Sequence, residues 1–334
     1  MRSAAEAAPA LSPAVLDIDA AAVTESIATA MRDQVFHQLR RRGVVVGLSG
    51  GIDSSVVAGL AARAVGPERV IGLLMPERES SPDSARLASE VAAAFAIPTV
   101  VEDVTDMLAG AGCYRRRDAA IRSVVPDYDE RHRSKIVLPD LVGRPGYALF
   151  SIVVRTPAGE EVRVRLPLEA YLEIVAATNF KQRVRTMMEY YHADRLRYAV
   201  AGTGNRLEHE LGFFVKQGDG AADFKPIAHL YKSQVYQLAE YLGVPDAIRQ
   251  RPPTTDTYSL DQSQEEFFFG LSLRQTDLLL YAKDHGIDAE VAADALGLTV
   301  EQTARAYGVI DSKRNAARYL LMPPLTVEHE EPSR

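Results

Sequence analysis

The junction at residues 44–55 constrains the fold most. Val44-Val45-Val46-Gly47-Leu48 is a short continuous apolar run, and Ser49-Gly50-Gly51-Ile52-Asp53-Ser54-Ser55 follows it directly. A run without polar alternation suits a strand covered on both faces, as in a parallel sheet. The Ala/Val/Leu-rich segment behind it, to about Val65, reads as a helix, so the junction is a Gly-rich strand-to-helix turn. Apolar runs recur at residues 70–75 and 98–101, with a helical pattern at 83–96 between them. This alternation predicts an α/β fold with a doubly wound parallel sheet. Ahead of it, residues 20–42 carry Val23, Ile27, Met31, Val35 and Leu39 at helical spacing and end in a basic turn.

The alternation breaks after residue 112. Residues 113–167 are irregular and charge-rich, with an expected hairpin around the turn Pro157-Ala158-Gly159. We treat them as an insertion packed on the α/β body. Residues 168–195 predict a long helix, residues 198–201 another sheet strand, and Gly202-Thr203-Gly204-Asn205 a second Gly-containing strand-to-helix turn. The last third is mostly helical. The expected organisation is a flexible tail over residues 1–19 and one domain over 20–334.

At 334 residues and 47% hydrophobic, the chain can bury a sizeable core. A net charge of −7 argues against a nucleic-acid partner. No apolar run approaches the ~18–20 residues of a membrane span. The N-terminus lacks the charged and apolar regions of a leader. Cys113 is the only cysteine, which excludes a disulfide framework and a Cys-based metal site. These features fit the cytoplasm.

The Ser49–Ser55 string also carries chemistry. Two glycines let backbone N–H groups turn toward an anion, and the following helix adds a positive dipole end. Ser49, Ser54 and Ser55 can donate hydroxyl bonds to phosphate oxygens. Asp53 alone would repel a phosphate, and a Mg²⁺ between them resolves the conflict. The plainer alternative is a tight turn whose Asp and Ser merely cap a helix.

The string resembles the loop of the N-type ATP pyrophosphatases, and it lacks the Lys of a Walker A loop. The second half narrows the resemblance. In order come Gly202-Thr203-Gly204-Asn205-Arg206-Leu207-Glu208, then Gly212-Phe213-Phe214-Val215-Lys216-Gln217-Gly218-Asp219-Gly220-Ala221-Ala222-Asp223, then Leu230-Tyr231-Lys232-Ser233-Gln234-Val235, then Pro252-Pro253-Thr254-Thr255-Asp256. Asn179-Phe180-Lys181-Gln182-Arg183-Val184-Arg185 lies upstream and Ser312-Lys313-Arg314 near the end. Together these segments resemble the ammonia-dependent NAD⁺ synthase family, over about residues 20–104 and 168–318.

The resemblance implies ATP as co-substrate, held by Gly47, Ser49, Gly50, Gly51, Asp53, Ser54, Ser55, Thr203, Lys232 and Thr254. It implies Mg²⁺ shared by Asp53 and Glu208, and Asp53, Lys216 and Lys232 as catalytic. The dinucleotide substrate, deamido-NAD⁺, would meet Asn179, Arg183, Arg185, Lys216, Asp219, Asp223 and Lys313. Each has a plainer alternative. Glu208 and Thr203 could serve the helix terminus, Asp219 and Asp223 could shape a turn, and the Arg and Lys side chains could be solvated. The implied reaction is ATP-dependent amidation through an acyl-adenylate, in a homodimer.

Only about forty residues precede the phosphate strand, and Cys113 has no neighbouring His or Lys-Glu pattern, so no glutaminase is expected within the chain. Ammonia would arrive free or from a separate glutaminase. Two departures from the family pattern stand out. Gln262-Ser263-Gln264-Glu265-Glu266-Phe267-Phe268-Phe269-Gly270 replaces a polar acidic stretch, and Ser312 replaces a His. They motivate a rival reading, an amide synthetase for another carboxylic acid. A second rival is a nucleotide-binding protein without catalysis, disfavoured by the presence of Asp53, Glu208, Lys216 and Lys232.

Overall fold

The structure, a computed structural model, describes residues 11–137, 150–252, 258–260 and 271–327. Thr254 and the Phe267-Phe268-Phe269 run lie outside the described residues.

The chain begins with α1 (Ala20–Asp33), extended by a π-helical turn (Gln34–Gln38), then β1 (Val44–Gly47) and α2 (Ile52–Val65). β2 (Val70–Leu74), α3 (Pro82–Ala94) and β3 (Thr99–Val101) follow. α4 (Thr105–Gly110), α5 (Cys113–Arg122), β4 (Arg133–Val137), β5 (Ser151–Arg155) and β6 (Glu161–Arg165) lead into the long α6 (Leu168–Leu196) and the short β7 (Ala199–Val200). The remainder is helical: α7 (Arg206–Leu211), α8 (Lys232–Leu242), α9 (Asp246–Arg249), α10 (Leu273–Asp284), α11 (Ala289–Leu296) and α12 (Val300–Leu321).

Four strands form a parallel sheet in the order β3-β2-β1-β7, with Val44 opposite both Val70 and Ala199. Alternation along β1 sends Val44 and Val46 to one face, against α1, α2 and α8, and Val45 to the other, against α6. Both faces are therefore covered, which is why β1 reads as unbroken valine rather than as alternation. All three valines are fully buried, each worth about 1.5–3 kcal/mol over exposure. The doubly wound expectation holds.

Strand order also locates the crevice. The chain moves outward from β1 to β2 to β3, whereas β7 lies on β1's other side. Order reverses between β1 and β7, so the turns after these two strands splay apart and leave a cleft at their carboxyl ends.

The described part of residues 113–167 is more regular than expected. Cys113–Arg122 is a helix packed along α6, and β4-β5-β6 form an antiparallel sheet with Arg133 opposite Arg155 and Ser151 opposite Arg165. Ile136, Ile152 and Val154 bury one face against Ile121 of α5 and Ile174 of α6. The edge strand β6 carries Glu161, Arg163 and Arg165 to solvent, as an unpaired edge requires. The high charge of α5 hid its helix, because its apolar contacts lie in α6.

The expected tail is anchored from Leu11 onward. Leu11 and Leu16 are buried against the C-terminal helices, and Gln237 of α8 bonds both the Ile18 amide (3.0 Å) and the Leu16 carbonyl (3.1 Å). Two isolated leucines give no periodic signal, so only the tertiary contact reveals the docking. No described helix is long and apolar enough to cross a membrane.

Candidate active site

The crevice opens into a cavity of about 750 Å³, within the range of small-molecule sites. Its floor is the loop after β1. Gly50 has φ +76°, and a Cβ there would stand 2.6 Å from the Ser84 carbonyl oxygen, so any side chain would clash as well as strain the backbone. Ser49 Oγ accepts from the Gly51 amide (3.2 Å) and meets Ser54 Oγ (3.1 Å). Gly47, Ser49, Gly50, Gly51, Asp53 and Ser54 line the cavity. Ser55 does not. Its hydroxyl donates to the Gly51 carbonyl at 2.7 Å behind the loop, an i−4 bond within the first turn of α2, and no side chain caps that helix.

The turn after β7 meets this loop. Asn205 caps α7, accepting from the Glu208 amide (3.2 Å), while Glu208 Oε2 accepts from the Asn205 amide (3.2 Å) in a capping box. The same Asn205 donates through Nδ2 to Asp53 Oδ1 at 3.1 Å. One amide side chain thus ties the two strand-to-helix turns together. Thr203 lines the cavity beside them.

Lys232 completes the convergence. It is 1% exposed and forms an ion pair with Asp53 Oδ2. Burial alone would lower its pKa, but Asp53 and Glu208 outweigh that and hold it above the usual lysine range. Asp277 of α10 places it, accepting from the Lys232 (3.2 Å) and Ser233 (2.7 Å) amides at the N-terminus of α8. Confinement between the cavity walls, and then the charge of Asp53, push the Glu208 carboxyl up to about 8. Two carboxyl groups thus share one ammonium at the mouth of the Gly-rich loop.

The long helix α6 supplies a wall. Tyr171, Val175, Thr178, Gln182, Arg185 and Glu189 face the cavity at helical spacing. Asn179 lines it too, and Arg185 Nε donates to the Met75 carbonyl at 3.3 Å. The extra sheet contributes Ile136 and Phe150, the latter stacked on Tyr171 at 3.9 Å. Lys313 of α12 closes the opposite side, its pKa lowered by burial.

Three expected site residues sit elsewhere. Lys216 turns away from the cavity, donating to the Tyr319 carbonyl (2.8 Å) over that ring. Arg183 is exposed and donates to the Lys216 carbonyl at 3.3 Å. Asp223 Oδ2 accepts from the Val200 amide at 2.8 Å and so serves β7. Asp219 does line the cavity, and one of its oxygens accepts from the Val215 amide at 2.8 Å. Desolvation there raises its pKa. Lys216, Asp219 and Asp223 are polar residues of one motif, and only the turn's path decides which of them face inward.

Sequence reasoning missed several cavity groups. Asn205 was findable as an N-cap with Glu three residues on. Glu189 continues the α6 stripe at helical spacing from Arg185. Lys225 and His209 line the cavity around Phe214, and no pattern marks them. Lys181 lies in a buried ionic group, 2.8 Å from both Glu77 Oε1 and Glu79 Oε2. Arg117 joins Glu79 through two bonds of 2.6 and 2.8 Å.

Fold and site together define an α/β nucleotide-binding enzyme of the ATP pyrophosphatase type, with a phosphate loop at the switch point of a parallel sheet. The family model described as NAD synthase matches residues 23–136 and 163–316. The chain belongs to the NAD synthase family. It is similar to the NH(3)-dependent NAD(+) synthetase of Rhizobium rhizogenes, 56% identical over 319 residues that cover 96% of each chain. The enzyme of the same name from Thermotoga maritima is 34% identical, covering 77% of this chain and 85% of its own. Among solved structures, the NH3-dependent NAD synthetase of Campylobacter jejuni matches with a TM-score of 0.60 at 22% identity, over 93% of this chain and 100% of its own. The interval that the family model skips, 137–162, holds Phe150 and strand β5.

Proposed function

We propose that the protein joins ammonia to the nicotinate carboxylate of deamido-NAD⁺, using ATP, through an acyl-adenylate, to give NAD⁺, AMP and pyrophosphate. The observation that carries this reading is the meeting of Asp53, Glu208 and Lys232 at the phosphate loop, inside one cavity. Relatives 53–56% identical over nearly the whole chain bear the name of that activity.

The donor set suits Mg²⁺. No group of three or more metal-ligating side chains occurs among the described residues. Mg²⁺ is commonly bound by one or two carboxylates with the remaining positions filled by phosphates and water. The mutual repulsion that raises Glu208 beside Asp53 is relieved by such a cation. Bound there, it would offset the charge of the ATP polyphosphate. The loop's backbone N–H groups and the α2 dipole cradle the leaving pyrophosphate, and Lys232 adds a fixed positive charge at low reorganisation cost. Arg185, Asn179 and Lys313 are placed to orient the dinucleotide so that its carboxylate meets the α-phosphate. The walls from α6, the extra sheet and α12 keep water from the adenylate.

We further place the enzyme in the cytoplasm as a homodimer supplied with free ammonia or by a separate glutaminase. Leu168, Leu172, Met187 and Tyr191, exposed along α6, are the surface that a dimer would cover.

The test combines purified protein, ATP, Mg²⁺ and ammonium with deamido-NAD⁺ or a panel of other carboxylic acids. Equal amounts of AMP and NAD⁺ are expected with deamido-NAD⁺. Turnover with a different acid, and none with deamido-NAD⁺, would sink the reading in favour of a related amide synthetase.

A further inference from the structure

Glu189 is an ionisable cavity group that the scheme above does not use. It projects from α6 onto the last residue of β1. A Cβ on Gly47 would stand 2.3 Å from Glu189 Oε1 and 3.3 Å from Met75 Cε, so the strand is bare where this carboxyl lies. No hydrogen bond or ion pair to Glu189 occurs among the described residues. A half-buried carboxyl without a protein partner is costly, and it faces the space where substrates react.

The groups around it are few. Arg185 precedes it by one turn of α6, and its guanidinium is drawn to the Met75 carbonyl. Asp219 faces it from the Gly-rich turn, with Lys225 beyond. Tyr190 is its neighbour on the helix. The end of β1 presents Gly47, and Met75 follows β2 beside it.

Resting on the amidation reading, we propose that Glu189 is a further catalytic residue, which receives the ammonium ion and takes one of its protons. The ammonium N–H bond breaks, the proton passes to a Glu189 oxygen, and ammonia is released with its lone pair free. That pair attacks the acyl carbon. The bond from carbon to the adenylate oxygen breaks, and its electrons leave with AMP. The second surplus proton goes to the AMP phosphate or to water, and Glu189 returns its own proton to solvent as products depart.

Charge favours this assignment. Ammonium is the one substrate of net positive charge, and Glu189 and Asp219 bring two carboxyl groups to this side of the cavity. Desolvation, with Asp219 adding to it against Arg185, pushes the Glu189 carboxyl up to about 8. An ordinary Glu near 4.3 is a far weaker acceptor for an ammonium proton.

Glu189→Gln keeps shape and removes only the proton acceptor. Two half-reactions separate the roles. Exchange of labelled pyrophosphate into ATP, dependent on deamido-NAD⁺, needs no ammonia and is expected to persist in the variant. Amide formation from ammonium should fall at least ~100-fold in kcat/KM. Hydroxylamine, uncharged at neutral pH, should restore acyl transfer as the hydroxamate. Retention of wild-type ammonium turnover, or equal loss of exchange and of the hydroxylamine reaction, would overturn the proposal. Absence of exchange in the wild-type enzyme would instead overturn the amidation reading itself.

Discussion

Replacing Lys181 with Met tests the buried ionic group behind the cavity. Lys181 is 2% exposed, and its ammonium bridges Glu77 and Glu79 at 2.8 Å each. Tyr114 donates to Glu77 at 2.7 Å, and Arg117 clasps both Glu79 and Asp118. Methionine fills the same volume but removes the ammonium shared by two carboxylates whose side chains are 1% and 13% exposed. Removing one partner from a buried pair costs about 3–5 kcal/mol. The titration of Glu79 reports the two cations together. Burial alone would raise Glu79, yet Arg117 first and then Lys181 hold it at about 2 against an ordinary 4.5, worth about 3 kcal/mol for the pair at 1.36 kcal/mol per pH unit. Because the folded-state pKa is depressed, this stability is present above about 4.5 and disappears as pH falls toward 2. Urea unfolding followed by circular dichroism at pH 7 and at stepwise lower pH should show a deficit of about 3–5 kcal/mol for Lys181→Met, narrowing below pH 4.5. Adding Glu77→Gln should recover part of it. A deficit below about 1 kcal/mol at pH 7, typical of exposed pairs, or one independent of pH, would refute the reasoning.

Other tests probe the site. Asp53→Asn and Glu208→Gln should each lower kcat by about 10²–10³, the loss seen when one electrostatic contact to a transition state is removed; near-normal turnover at saturating Mg²⁺ counts against a shared metal. Lys216→Met should change KM for ATP less than about threefold while lowering the melting temperature, because its ammonium holds the Tyr319 carbonyl; a large kcat loss without a stability change would restore it to the chemistry. Cys113→Ser should leave the ammonium rate intact, since Cys113 is buried and its thiol serves the Ala177 carbonyl at 3.2 Å, and glutamine alone should give no product. Glutamine-driven NAD⁺ formation by the pure chain would contradict that.

What sequence could determine here was local and periodic. The valines of β1 and the Gly-rich string behind them specify a buried strand and a tight strand-to-helix turn, and both follow from backbone geometry within a dozen residues. The second turn at Gly202–Asn205 and the long α6 were legible for the same reason. The partner of each cavity side chain was not. Lys216 and Asp223 share a motif with Asp219, yet a turn with Gln217 at φ +61° and Asp219 bonded to Val215 sends two outward and one inward. Asn205 joins Asp53 across 152 residues of chain, and Lys232 reaches the same carboxylate across 179. Glu189 acquires its raised pKa from burial against the glycine that ends β1 and then from Asp219 opposite. Propensity and spacing act over one or two turns of chain, whereas desolvation and charge act through space, so the fold had to be closed before the chemistry of these groups was set.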